Sequence, residues 1–182
     1  AGCLCFMMHK IRQLEAQKRG YQSIVNQSLE TFAHAIDAKD RDTNGHSIRV
    51  AVYSREIARR MGLTEEEQEQ IYYMGMLHDI GKISTPDQIL NKPGKLTAEE
   101  FEIMKQHTVK GCEILRRIPD IMDAGVYKYA YDICRHHHEK WDGRGYPDGL
   151  SGDAISIWAQ VAALADVYDA LTSERVYKKS FD

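Results

Sequence analysis

The stretch Met76–Ile83, MLHDIGKI, constrains this chain more than any other. It closes a run of apolar residues at helical spacing and sets a histidine beside an aspartate where that helix stops. Lys82 follows four residues after His78. Burying either polar group without a partner costs several kcal/mol. A fold that accepts this stretch must bring compensating groups from elsewhere in the sequence.

Most of the chain has helical period. Ile11–Ala38 carries Ile24, Leu29, Phe32, Ala33 and Ile36 on one stripe. His46–Met61 is closed by Gly62. Glu65–His78 is opened by a capping box of Thr64 with Glu67 and broken by Gly81. Thr97 with Glu100 caps a short fourth helix, and His107–Ile118 is expected as a separate helix that stops before Pro119, so that His107 sits at a junction. Ile121–Glu139 and the strongly apolar Ile155–Leu171 complete the set, while STPDQILNKPGKL and WDGRGYPDGLSGD read as loops. No stretch alternates with period two for long enough to make a strand, so the fold class is all-α. The early, polar part of the first helix, QLEAQKRGYQ, projects as an N-terminal linker helix.

The 182 residues suffice for one domain with a sizeable core, or a domain plus a short extension. A formal net charge of −3 speaks against a protein that coats nucleic acid, and no DNA or RNA partner is expected, although a local basic pocket stays open to an anionic substrate. Cys3, Cys5, Cys112 and Cys134 form no CxxC pair. Cys112 and Cys134 lie on apolar helical faces and read as buried thiols, which fits a reducing, cytoplasmic setting. The opening AGCLCFMM, followed by His9, Lys10 and Arg12, is too short to span a bilayer and makes no signal peptide. Two readings stand: a mobile chain start, or the cut end of a transmembrane helix, which makes the chain the cytosolic part of a membrane-anchored protein. An initial alanine fits a piece of a longer protein.

Eight histidines is high usage for this length, and their positions matter more. His46 starts a helix, with Asp42 one turn before it. His78 and Asp79 end one. His136, His137 and His138 are consecutive near the end of another. Asp166 lies inside ALADVYDAL, among alanines and a leucine. Each alone has an ordinary reading as a hydrogen-bonded side chain, a helix cap or a solvated turn residue. Together, on buried ends and apolar faces of distant helices, they are all satisfied by a shared cation. Imidazoles and carboxylates without thiolates fit iron, manganese, zinc, nickel or cobalt. The candidates outnumber the ligands of one ion and include a carboxylate able to bridge, which points to two ions. His78 then serves one ion and Asp79 spans both. Lys82 shares their face if the helical turn persists, and either holds a phosphate oxygen or pairs with Asp79. The first reading is favoured.

HDIGK, the later run His137, His138, Glu139, Asp142, Gly143, Gly145, Tyr146 and Pro147, and ADVYDALTS together resemble the HD-GYP branch of the HD phosphohydrolase superfamily, from about Phe32 to the C-terminus. The resemblance implies a compact HD-type helical bundle over residues 32–182, preceded by a linker or signalling helix over 1–31. It implies a bacterial signalling enzyme that hydrolyses the phosphodiester of cyclic di-GMP to pGpG, with a second cut to GMP open to sites with more than two metals. Two divalent ions, iron or manganese, are implied. One would be held by His46, His78, Asp79 and Asp166, and the other by Asp79, His107, His137 and His138. Asp79 and Lys82 carry the catalytic roles. Lys82, Arg175 and Lys178 match substrate-phosphate positions, and Tyr146 lines the substrate entrance or belongs only to a turn. Such ions acidify water to supply a nucleophile for in-line attack, while they and Lys82 stabilise the charge on phosphorus.

The sequence also departs from the family pattern. Asp42 stands where many members have an aromatic residue, and some have a glutamate that helps bind a third metal. Val176 replaces a frequent proline. The chain stops at Asp182, where members usually continue, so the domain is expected to be truncated. His136 reads as a supporting or exposed residue. The rival readings are a catalytically inactive relative that binds nucleotide or a partner protein, and hydrolysis of another cyclic dinucleotide such as cyclic GMP-AMP. The linker helix is expected to mediate a parallel homodimer that relays a signal from an upstream sensor domain.

Overall fold

Local sequence sets where the helices begin. The Thr64 hydroxyl accepts the Glu67 N–H while the Glu67 carboxylate accepts the Thr64 N–H at 2.8 Å, and Thr97 with Glu100 repeats the arrangement. The computed structural model describes residues 2–40, 45–118 and 126–173. Its helices are α1 (Gly2–Lys39), α2 (His46–Arg60), α3 (Glu65–Gly75), a 3-10 turn (Ile80–Ser84), a single turn α4 (Asp87–Leu90), α5 (Ala98–Leu115), α6 (Val126–His136), a second 3-10 turn (Gly152–Ala154) and α7 (Ile157–Thr172). Among the described residues there is no strand, only an isolated bridge between Asp142 and Ser151. The all-α expectation holds.

Three local expectations are corrected. The short fourth helix and His107–Ile118 are one helix, α5, because nothing between them breaks the backbone ladder, and His107 therefore sits inside a helix. The helix ending in HD stops at Gly75, and the chain tightens through turns into the 3-10 segment that carries Lys82. The loop after it contains α4. On the α1 stripe, Ala33 and Ile36 are buried and Leu29 packs on the core, while Ile24 and Phe32 are 62% and 56% exposed. The first residues of the expected Ile121–Glu139 helix lie outside the described residues.

α2 packs on α3 and α7, α6 packs on α3 and α7, and α5 packs on α6 and the 3-10 turn. Ile71, Met74, Leu77, Leu115, Ile133, Trp158 and Val161 fill the space between them, with the free thiols of Cys112 and Cys134 buried among them as expected. Gly81 and Gly111 let the 3-10 turn touch α5. A Cβ on Gly81 would lie 1.8 Å from the His107 carbonyl oxygen, so only glycine fits there. The last turn of α1 grips the same segment. The Lys39 ammonium donates to the carbonyls of Lys82, Ile83 and Thr85 at 2.7–3.0 Å. Asp37 caps α2 from outside, accepting the Ser47 N–H at 3.2 Å and the Ser47 hydroxyl at 2.6 Å. No helix among the described residues is long and apolar enough to cross a membrane.

Candidate metal centre

Five separate elements end or pass at one buried point. α2 delivers His46 in its first turn, the segment after α3 delivers His78 and Asp79, α5 delivers His107, the end of α6 delivers His137 and His138, and α7 delivers Asp166. His46, His78, Asp79, His107 and His137 are buried. Asp79 sits at the middle. Its Oδ2 lies 3.2 Å from His78 Nε2 and 4.0 Å from His46 Nε2, while its Oδ1 lies 3.3 Å from His107 Nε2 and 3.7 Å from His137 Nε2. Each oxygen of one carboxylate therefore faces its own set of imidazoles. Two donor groups result, His46–His78–Asp79 and Asp79–His107–His137–His138, each with its donor atoms within 4.8 Å of one another. Asp166 Oδ1 is 3.3 Å from His46 Nε2 and adds a carboxylate to the first group.

The rings are oriented from behind. His78 Nδ1–H donates to Gly75 O at 2.8 Å, His107 Nδ1–H to Met104 O at 2.7 Å and His137 Nδ1–H to Ile133 O at 2.9 Å. A carbonyl only accepts, so each Nδ1 carries the proton and each Nε2 turns a lone pair inward. His46 Nδ1 is held instead by the Asp169 carboxylate at 2.7 Å, which also takes Arg49 through two hydrogen bonds of 2.6 and 3.0 Å.

Asp79 Oδ1 and the Nε2 atoms of His78, His107 and His137 are buried with no hydrogen-bond partner among the described residues. Orphaned groups of this kind cost about 1–3 kcal/mol each. A fold does not gather four of them at one point without a ligand that satisfies them, and a divalent cation does so with this nitrogen and oxygen donor set.

Electrostatics divide the centre. Burial opposes charge on His46, yet its bonds to Asp166 and Asp169 push it up to about 9. Burial dominates at His107 and holds it down at about 4, and holds His138 well below the usual imidazole range. Burial pushes the Asp79 carboxyl upward, but Lys82 and His78 outweigh it and hold it well below the carboxylate range. Lys82 Nζ bonds Asp79 and Asp40 at 2.8 Å each, and despite burial these two carboxylates raise its pKa. Of the two readings of Lys82, the structure shows the pairing with Asp79, joined by Asp40.

Tyr146 stacks beside the second group, its ring 4.8 Å from that of His138 and 6.4 Å from that of His107. Its loop is built from Glu139, whose carboxylate accepts the N–H groups of Asp148, Gly149 and Leu150 at 2.7–3.0 Å. His136 bonds Asp148 Oδ2 at 2.9 Å and supports this loop. Asp42, Arg175 and Lys178 lie outside the described residues. Sequence reasoning missed Asp169, Asp40 and the clamping role of Glu139. The three-residue spacing of Asp166 and Asp169, nearly one helical turn, was a usable signal for the first.

An all-α frame that converges imidazoles and carboxylates on one shared aspartate defines a helical metal-binding protein with two adjoining donor sets. The chain belongs to the HD domain family, which matches residues 30–182. It is 46% identical over 147 residues to the 3'3'-cGAMP-specific phosphodiesterase 2 of Vibrio cholerae, covering 81% of this chain and 27% of that protein. It is 43% identical over 158 residues to a cyclic di-GMP phosphodiesterase of Thermotoga maritima, covering 87% of this chain and 42% of that protein. The chain thus spans less than half the length of these curated relatives. Among solved structures, the cyclic GMP-AMP specific phosphodiesterase V-cGAP3 of Vibrio cholerae shares the fold with a TM-score of 0.60 at 17% identity, over 80% of this chain and 40% of that one. Family membership and the buried cluster together support divalent-cation binding.

Proposed function

We propose that this chain is a metal-dependent phosphodiesterase that opens cyclic di-GMP to pGpG and so lowers a bacterial second messenger. The observation that carries the reading is Asp79, whose two oxygens face separate histidine sets. His46, His78, Asp79 and Asp166 would hold one ion, and Asp79, His107, His137 and His138 the other, with iron or manganese suited to both. A third ion would call on Asp42. Bound there, the ions supply an acidified water and offset negative charge on phosphorus.

The chain's own groups do the rest. The backbone carbonyls behind His78, His107 and His137 keep the Nε2 lone pairs aimed inward. Lys82 supplies a positive charge at the rim, where a phosphate oxygen shares it with Asp40 and Asp79. Tyr146 offers an aromatic wall on which a guanine stacks, a contact of about 1–3 kcal/mol. Arg175 and Lys178 belong to this proposal as further phosphate contacts. Residues 1–31 act as a linker and 32–182 as the catalytic domain, a division that falls within α1. A homodimer through α1, an upstream sensor and a cytoplasmic setting complete the reading.

A second substrate reading, 3'3'-cGAMP, is favoured by the 46% identity to the cGAMP-specific relative. The test incubates the chain with each dinucleotide and Mn2+ or Fe2+, beside Asp79→Ala. The parent is expected to release the linear dinucleotide, and Asp79→Ala to be slower by at least about a hundredfold. Equal rates in parent and variant would remove the role of Asp79. A metal-bearing parent inert on both nucleotides would replace the enzyme by a binding module.

A further inference from the structure

The outer face of α1 is apolar and has no packing partner among the described residues. Met7, Ile11, Leu14, Tyr21, Val25 and Phe32 are each more than half exposed. With Lys18 and Ser28 they fall at alternating steps of four and three residues from position 7 to position 32. That is the heptad repeat of a coiled coil, with Ile11, Lys18, Val25 and Phe32 at a and Met7, Leu14, Tyr21 and Ser28 at d. A different set, Leu29, Ala33 and Ile36, docks the helix on its own domain. The heptad seam is therefore left to something else.

We infer that α1 is one strand of a parallel, in-register, two-stranded coiled coil whose other strand is α1 of a second copy of this chain. The inference specifies the pairing within the homodimer put forward above and is independent of the substrate. β-branched Ile11 and Val25 at a, with Leu14 at d, favour two parallel strands, and a single lysine at a fixes the register at some cost in stability. Charge selects the orientation. In a parallel pair each g residue meets the e residue five positions later on the partner. Lys10 is at g and Glu15 at e, so the pair gains two opposite-charge contacts, and Gln17 with Gln22 forms the neutral match one heptad on. An antiparallel pair brings g to g and e to e and loses this match.

The test is sedimentation equilibrium of the full chain from about 1 to 200 μM at low salt. The parent is expected at about twice 20.8 kDa. Leu14→Asp is expected to be a monomer with an unchanged helical circular dichroism shape, and Glu15→Lys to weaken the dimer several-fold. Lys10→Glu combined with Glu15→Lys is expected to restore the parent's dissociation constant. A parent that stays monomeric throughout overturns the inference. So does a dimer that survives Leu14→Asp, and so does a charge swap that fails to recover. Nucleotide hydrolysis measured on the same samples reports on the catalytic proposal separately, because the oligomer readout involves no substrate.

Discussion

Replacing Gly81 by alanine adds one methyl group where the 3-10 turn touches α5. Its Cβ would stand 1.8 Å from the His107 carbonyl oxygen and 2.6 Å from Gly111 N, whereas ordinary contact begins at 3.4 Å. Both neighbours are backbone, so no side chain can swing aside. The carbonyl must retreat by about 1.6 Å, and the turn of α5 that carries His107 moves with it. His107 Nε2 now sits 3.3 Å from Asp79 Oδ1, and a retreat of that size takes it out of the shared donor set. Misplacement by about 1 Å costs on the order of a hundredfold in rate. Overpacking against backbone falls at the upper end of about 1–3 kcal/mol, which lowers Tm by roughly 4–12 °C for a chain of this size. The assay combines calorimetry, metal content per chain and cyclic di-GMP turnover, with Gly20→Ala as control because nothing lies within 4 Å of a Cβ there. A Gly81→Ala protein with full metal content, a rate within about twofold of the parent and an unchanged Tm would refute the reasoning.

Three further outcomes are expected. Asp169→Asn removes the charge behind His46 and the partner of Arg49, so cation affinity should fall by about 10–100-fold and the His46 pKa should drop, read by metal competition and NMR titration. Because His46 is pushed up to about 9, it is protonated at neutral pH, and a cation on its Nε2 must displace that proton. Affinity on that side should fall about tenfold per unit as pH drops below 9; calorimetry in two buffers near neutral pH should register proton release on cation binding, and none released defeats the assignment. Glu139→Gln sets an amide donor against backbone N–H groups, so the chain should lose about 1–3 kcal/mol in denaturant titration while its metal content is kept.

The centre was legible in the sequence because its residues break local rules. A histidine–aspartate pair at an apolar helix end, three consecutive histidines and an aspartate among alanines all demand distant partners, and the structure brings His46, His78, Asp79, His107, His137, His138 and Asp166 together. The capping boxes at Thr64 and Thr97 were legible because their hydrogen bonds close within four residues. What escaped depends on tertiary neighbours. Asp37 caps α2 through Ser47, ten residues later, Asp40 pairs with a lysine 42 residues away, and Asp169 meets His46 across 123 residues. Nothing local distinguishes such carboxylates from solvated ones. The continuity of α5 was missed because His107 drew the expectation of a helix junction, whereas Gly111 is there for close packing on Gly81 and not to end a helix. Ile24 and Phe32 share one stripe with Leu29, Ala33 and Ile36 in the sequence, and a single periodicity cannot tell which part of a helix face packs on its own domain and which stays exposed.

Glu139 follows directly on His138, so one short piece of backbone both carries the last imidazoles and bolts down the loop bearing Tyr146. That loop is tied by three N–H groups on one carboxylate, by Tyr146 N–H to His138 O at 3.2 Å and by the two-pronged Arg135–Asp148 pair at 2.6 and 2.7 Å. Swinging it open would break these bonds together, which is local unfolding and not the motion of a lid. The aromatic side of the centre is consequently a fixed wall, and any opening of the centre has to come along another edge.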